Sequence, residues 1–323
     1  MKKIYISSIL WLLLSKIFAQ QIYPHQLGTV PLALNPAFAG TSENWQVSTL
    51  YKVQYPTANA FSSSLASFDS HLENPRNSIG VFLQRDVISV ANGKSFRNLQ
   101  AQLNYAYLLP VGEYWRIKMA VGVGYGSKNL NTLQLIYGDQ LDENGYTGQA
   151  SSEMPLLSQN IDYLDIQTGI LAYNEYAWIG FSAFHLNQPT QDFLGAEYQI
   201  NRRFSGHLGI KIPLNSQETY FISPLAAFYS QNNVHLLDGG IFLETEALQA
   251  GVLYRNIPIQ TKGANSLNFQ VGFKKDFFRF SYSYAMMLGS LNGLGGGHEI
   301  GLRFMMKTDI DESKWSFRKI SLF

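Results

Sequence analysis

The chain has 323 residues, with 24 basic and 23 acidic side chains, 15% charged and 14% aromatic residues, and no cysteine. The near-neutral balance excludes the basic excess of a nucleic-acid binder. The lack of Cys excludes a disulfide framework, a thiol nucleophile and a Cys-linked lipid anchor.

Residues 1–19, MKKIYISSILWLLLSKIFA, place Lys2 and Lys3 before an apolar run around Ile9–Leu14 and end on Ala19. This is the layout of a secretory signal peptide cleaved between Ala19 and Gln20, and the apolar run is too short to span a bilayer as an anchor. Cleavage removes Lys2, Lys3 and Lys16, leaving 21 basic against 23 acidic residues and a net charge of −2. Residues 20–45 are irregular and have room to enter a lumen as a plug. Within them, Asn35–Pro36 sets a turn, Ala37 and Ala39 permit close packing, and Phe38 is an apolar anchor.

From about residue 46 the polarity alternates. In NLQAQLNYAYLLPVGEYWRIKMAVGVGYG, residues 98–126, Leu99, Leu103, Tyr105 and Tyr107 alternate with Asn98, Gln100, Gln102 and Asn104. After the turn, Trp115, Ile117, Met119, Val121, Val123 and Tyr125 alternate with Arg116, Lys118 and small residues. A period of two is that of a strand with one apolar face. Comparable runs fall near 46–55, 61–70, 78–86, 163–173, 176–185, 203–212, 219–230, 234–243, 246–255, 267–274, 278–286 and 299–306. Together they predict about fourteen strands, an even number as a closed bacterial barrel requires.

A mean hydropathy of −0.08 suits a soluble chain. A membrane barrel shows the same average, because the lumen half of each strand is polar. Strands of about ten residues fit a tilted bilayer crossing better than the five or six usual in soluble sheets. The expectation is therefore an all-β, transmembrane antiparallel barrel over 46–306, with lipid against the apolar face. Short turns near Pro110–Glu113 and Lys275–Asp276 face the periplasm. Residues 127–160 form the longest loop, followed by 186–200 and the Gly-rich 286–298. Residues 307–323 form a periplasmic tail.

No constellation points to catalysis. The six His residues are scattered, without metal-ligand spacing. Asp139, Asp142 and Glu143 before Gly145 lack the EF-hand pattern. The glycines at 293 and 295–297 lack a following Lys–Ser/Thr, which removes a P-loop, and no GxSxG elbow occurs. No enzymatic activity and no cofactor are expected.

LNPAFAG at 34–40, followed by a barrel and closing on GGGHEIGLRF at 295–304, resembles the PorP/SprF family of type IX secretion system membrane proteins. LNYAYLLPVG at 103–112 and LDGGIFLETEALQAGVLYRN at 237–256 add to the likeness. The resemblance implies an outer-membrane barrel of the fatty-acid-transporter type and a role in secreting or displaying particular cargo, including large gliding adhesins. The partners it suggests are a cargo's C-terminal sorting domain and other components of the machine. Its motif residues here are Asn35, Pro36, Ala37, Phe38, Ala39, Gly40, Gly296, Gly297, His298 and Glu299. Asn35, Pro36 and Phe38 are expected to set the entry from plug to barrel. His298 and Glu299 are expected to bind each other or a lumen Arg such as Arg303. A passive channel for a small solute is the alternative function.

Overall fold

The computed structural model describes residues 24–42, 45–55, 61–90, 93–130, 138–143, 145–149, 152, 160–193, 196–256, 265–288 and 295–306. The expected signal peptide and the C-terminal tail lie outside the described residues.

Fourteen antiparallel strands close into one barrel. In chain order they are β1 (Trp45–Gln54), β2 (Phe61–His71), β3 (Asn77–Val90), β4 (Gly93–Val111), β5 (Trp115–Leu130), β6 (Asn160–Tyr173) and β7 (Ala177–Phe184). The ring continues through β8 (Arg203–Ile210), β9 (Tyr220–Gln231), β10 (Val234–Thr245), β11 (Leu248–Arg255), β12 (Ser266–Lys275), β13 (Phe278–Met287) and β14 (Gly297–Met306). Each strand pairs with its chain neighbour. Closure comes from β1 against β14, where Trp45 faces Met306 and Gln54 faces Gly297. A short stretch, Ile212–Pro213, prolongs β8 along β9. The predicted strands are all present. β4 and β5 run beyond their alternating cores, and β5 reaches Leu130, so the long connection begins after the expected residue 127.

Alternation decides what each face meets. Leu103, Val121, Val123 and Leu164 are 54%, 61%, 60% and 71% exposed, whereas Asn104 and Gln167 on the other row are fully buried. A soluble sandwich would bury the apolar row. Here the large apolar side chains form the outer wall and the amides line the interior, the arrangement of a barrel in lipid. Among the described residues no helix is long and apolar enough to cross a membrane.

The connections at one end are 72–76, 112–114, 174–176, 211–219, 246–247 and 276–277, and β1 starts and β14 finishes at this end. The other end carries 131–159, 185–202, 256–265 and 288–296, together with three shorter links. Within 185–202 a small hairpin pairs Thr190–Phe193 with Ala196–Gln199.

Candidate functional site: the lumen and its N-terminal segment

The segment over residues 24–42 begins near the loop end of the lumen and leads to β1 at the short-turn end. Its shape follows from its prolines. Pro31 and Pro36 each open a one-turn 3₁₀ helix, Pro31–Ala33 and Pro36–Phe38, where a fixed φ and a missing N–H cost nothing. Asn35 caps the second turn, its Oδ1 accepting the Ala37 N–H at 2.8 Å.

Asn35 is also the segment's main tie to the wall. Its Nδ2 donates to the Ile170 carbonyl of β6 at 3.0 Å and the Phe181 carbonyl of β7 at 3.2 Å, and lies 3.0 Å from His207 Nε2 of β8. Phe38 stacks on His207 at a centroid distance of 5.3 Å and meets Trp178 edge-on at 5.8 Å. Asn35 and Phe38 thus sit against the wall opposite β1. Gly40, with φ at +62°, makes a bend after the Pro36–Phe38 turn. Its N–H donates to Asp69 Oδ1 at 2.8 Å, and its carbonyl accepts from Lys118 Nζ at 2.8 Å.

The wall makes room at glycines. A Cβ on Gly169 would strike Asn35, one on Gly180 would strike His207, and one on Gly80 would come within 2.9 Å of Leu32. A Cβ on Gly301 would come within 2.5 Å of Thr29. Small residues on the inward row therefore mark the path of the segment, a signal available in the strands and not used in reading them.

At the loop end the segment is held by Glu299. Its carboxylate accepts the His25 N–H at 2.9 Å, the Gln26 N–H at 3.0 Å and His25 Nδ1–H at 2.7 Å. Lys52 Nζ of β1 lies 3.2 Å from the same carboxylate. Because a carboxylate only accepts, His25 carries its proton on Nδ1. Burial, with the Lys52 and Arg255 cations nearby, pushes the His25 imidazole down to about 3, so it is neutral. Next to this group Arg255 of β11 forms a bidentate pair with Asp238 of β10, Nη2 donating to Oδ2 at 2.7 Å and Nε to Oδ1 at 3.2 Å, and Nη2 also donates to the Pro24 carbonyl at 2.8 Å.

One expectation is corrected here. His298 and Glu299 do not bind each other, because neighbours on a strand face opposite sides. Glu299 points into the lumen and is taken by His25, Gln26 and Lys52. His298 points outward and lies 2.8 Å from the Tyr282 hydroxyl through Nδ1. Gly296, with φ at +69°, turns the chain into β14, and its carbonyl accepts the Tyr55 N–H at 2.8 Å. Gly297 faces inward and pairs in register with Gln54.

At the short-turn end, Glu244 of β10 meets Lys274 of β12 at 3.2 Å and Lys211 at 3.9 Å. Arg279 of β13 and Arg303 of β14 stand beside them. A gap of about 30 Å³ lies between this wall and residues 28–29 of the segment, room for one or two waters. Among the described residues no three His, Asp or Glu side chains gather at metal-binding range.

Solved structures of similar architecture include the Acinetobacter baumannii outer membrane protein Omp33, with a TM-score of 0.46 and 6% identity, covering 83% of this chain and 100% of that one. The CymD monoaromatic hydrocarbon channel has a TM-score of 0.47 and 12% identity, covering 88% and 94%. The P. putida toluene transporter TodX has a TM-score of 0.46 and 9% identity, covering 85% and 93%. These likenesses concern the fold alone. No curated protein sequence matches the chain. The model of one family, described as type IX secretion system membrane protein PorP/SprF, matches residues 17–304. With almost the whole chain matched, this protein belongs to the PorP/SprF family of type IX secretion system membrane proteins.

Proposed function

We propose that the protein is a non-catalytic docking component of the type IX secretion system in the outer membrane. It holds a specific secreted cargo through that cargo's C-terminal sorting domain and supports its secretion or surface display, gliding adhesins being one such class. The observation that carries this reading is the course of residues 24–42 inside the barrel. On this reading residues 24–42 act as a plug, tied to β6, β7, β8, β11 and β14. On this reading the plug closes the barrel to a polypeptide. Docking then falls to the loops at one mouth and to the short turns and tail at the other.

The test is capture of the tagged protein from outer membranes in mild detergent after cross-linking, with mass spectrometry of what accompanies it. A secreted protein ending in a sorting domain, recovered in near-equal amount, is the expected result. Recovery of the barrel alone, together with solute flux through the purified protein in liposomes, would overturn docking in favour of a passive channel. Mass measurement of the purified chain also checks the expected mature start at Gln20.

A further inference from the structure

The outward row of β4 runs Leu109, Tyr107, Tyr105, Leu103, Ala101 and Leu99, and its next member is the exposed Arg97. Ten residues at about 3.4 Å each, on a strand tilted by about 40°, climb roughly 26 Å. That is the height of the apolar band on a membrane barrel, about 25 Å. On β5 the apolar row closes near the same level with Tyr125, before Ser127 and Asn129. Arg97 therefore emerges at the loop end, where hydrocarbon gives way to headgroups.

Arg85 joins it from β3. Gln84 and Asp86 on either side are buried, so the exposed Arg85 faces outward, above Leu83 and Val81. In register Arg85 opposes Leu99, and Arg97 opposes Val87. The two arginines are thus diagonal neighbours, about 7–8 Å apart on the wall. Side chains of this length span that distance, so both guanidinium groups reach one anion. On β2 the exposed Ser64 stands opposite Arg85, and Tyr51 of β1 stands opposite Ser64. Hydroxyl groups therefore continue the level away from the pair.

Charge on this face is local. Among the described residues, the Arg, Lys, Asp and Glu side chains facing outward from the strands in the loop-end half are Arg85, Arg97 and Asp162. Asp162 is on β6, two strands from Arg97, and is engaged by the Tyr125 hydroxyl. The links that join β1 to β2 and β3 to β4 read YPTANA and AN and add no acid.

We propose that Arg85 and Arg97, with the Ser64 hydroxyl beside them, bind a phosphomonoester on the headgroup of a glycolipid in the leaflet at the loop end. The forked guanidinium groups suit phosphate oxygens, and two of them converge where one alone would only reach for water. The apolar rows directly below receive the acyl chains of the same molecule, with Leu83 46% and Leu103 54% exposed. A free phosphate or an acidic peptide would leave those rows unused. The inference rests on the outer wall and stands whether or not the docking reading holds.

The full-length protein in detergent is incubated with diphosphoryl lipid A, and native mass spectrometry counts the lipid that stays bound. Zwitterionic phosphatidylcholine is the comparison, and inorganic phosphate and tetraglutamate are the competitors. Lipid A is retained in preference to phosphatidylcholine, and neither competitor displaces it at equal concentration. The double variant Arg85→Gln, Arg97→Gln lowers the affinity about tenfold or more, and Lys at both positions recovers part of it. Lys275→Gln, which removes an exposed cation at the short-turn end, leaves retention unchanged. A heat-modifiable band on gels checks that each variant is folded. If the double variant does not fold, Arg97→Gln alone takes its place, with a severalfold loss expected. The proposal is overturned by equal retention of phosphatidylcholine, by displacement with phosphate or tetraglutamate, or by an equal loss in Lys275→Gln. Unchanged retention in a folded arginine variant overturns it as well.

Discussion

The two ends of the lumen treat charge in opposite ways. At the loop end, Arg255 is paired with Asp238, and Glu299 gathers Lys52, His25 and two backbone N–H groups of the N-terminal segment. At the short-turn end, three cations share one level, and Glu244 serves both Lys274 and Lys211. The first end is satisfied from within the chain, and its charges serve to fix the segment. At the second, Glu244 instead joins β10 to β12 through Lys274. The difference teaches that a buried carboxylate in a barrel can anchor a segment inside the lumen or cross-link the wall itself.

Glu299→Gln is the strongest way to break this contrast. It leaves Lys52 buried without its carboxylate and weakens the capture of residues 25–26. A loss of about 3–5 kcal/mol is expected for breaking a buried pair from one side. Urea unfolding in lipid vesicles measures it, and a change below about 1 kcal/mol would mean that the loop end is not held by charge.

Gly180→Val comes next, because its Cβ would meet His207 and Asn35. Overpacking of this kind costs about 1–3 kcal/mol. The segment should leave the wall, and planar-bilayer recordings should show new conductance. A variant that stays electrically silent would place the seal elsewhere.

Asn35→Ala removes the cap of the Pro36–Phe38 turn and the bonds to the Ile170 and Phe181 carbonyls. About 1–2 kcal/mol of stability should go with it. Limited proteolysis reads the effect directly, since residues 24–42 should be cut faster than in the parent while the strands stay intact.

Acid sharpens the contrast gradually, by a small step per pH unit. His25 is held neutral in the folded state, at about 3 against 6.5 when free. The unfolded chain therefore binds the extra proton between these values. The stability linked to neutral His25 is complete above about pH 6.5 and declines as the pH falls toward 3. The slope is at most about 1.4 kcal/mol per pH unit for one proton. His25→Gln should flatten the unfolding profile between pH 6.5 and 5, and an unchanged slope would assign the pH dependence to another group.

Much of the wall was legible along the chain because a barrel strand writes its two environments into alternate residues. Leu103 against Asn104 and Phe269 against Asn268 identify a strand, and the barrel's closure shows that the apolar member faces out. The pairing of Glu299 was not legible. Its partners His25 and Gln26 are 274 and 273 residues away, and nothing in HEIG names the distant segment that the carboxylate meets. Alternation itself argued against the expected contact, since adjacent strand residues cannot share a face.

The lumen site was readable only in fragments. LNPAFAG announced a turn and an apolar anchor, and the glycines at 80, 169, 180 and 301 sat in the polar rows without an assigned purpose. The level shared by Lys274, Arg279 and Arg303 depends on strand register, which period-two patterning leaves open to whole-residue shifts. By itself the sequence determined the class of fold, the strand number and the two-faced wall, because each depends on local periodicity. Only the tertiary structure decided where residues 24–42 run and which charges they meet, because those contacts join residues from opposite ends of the chain.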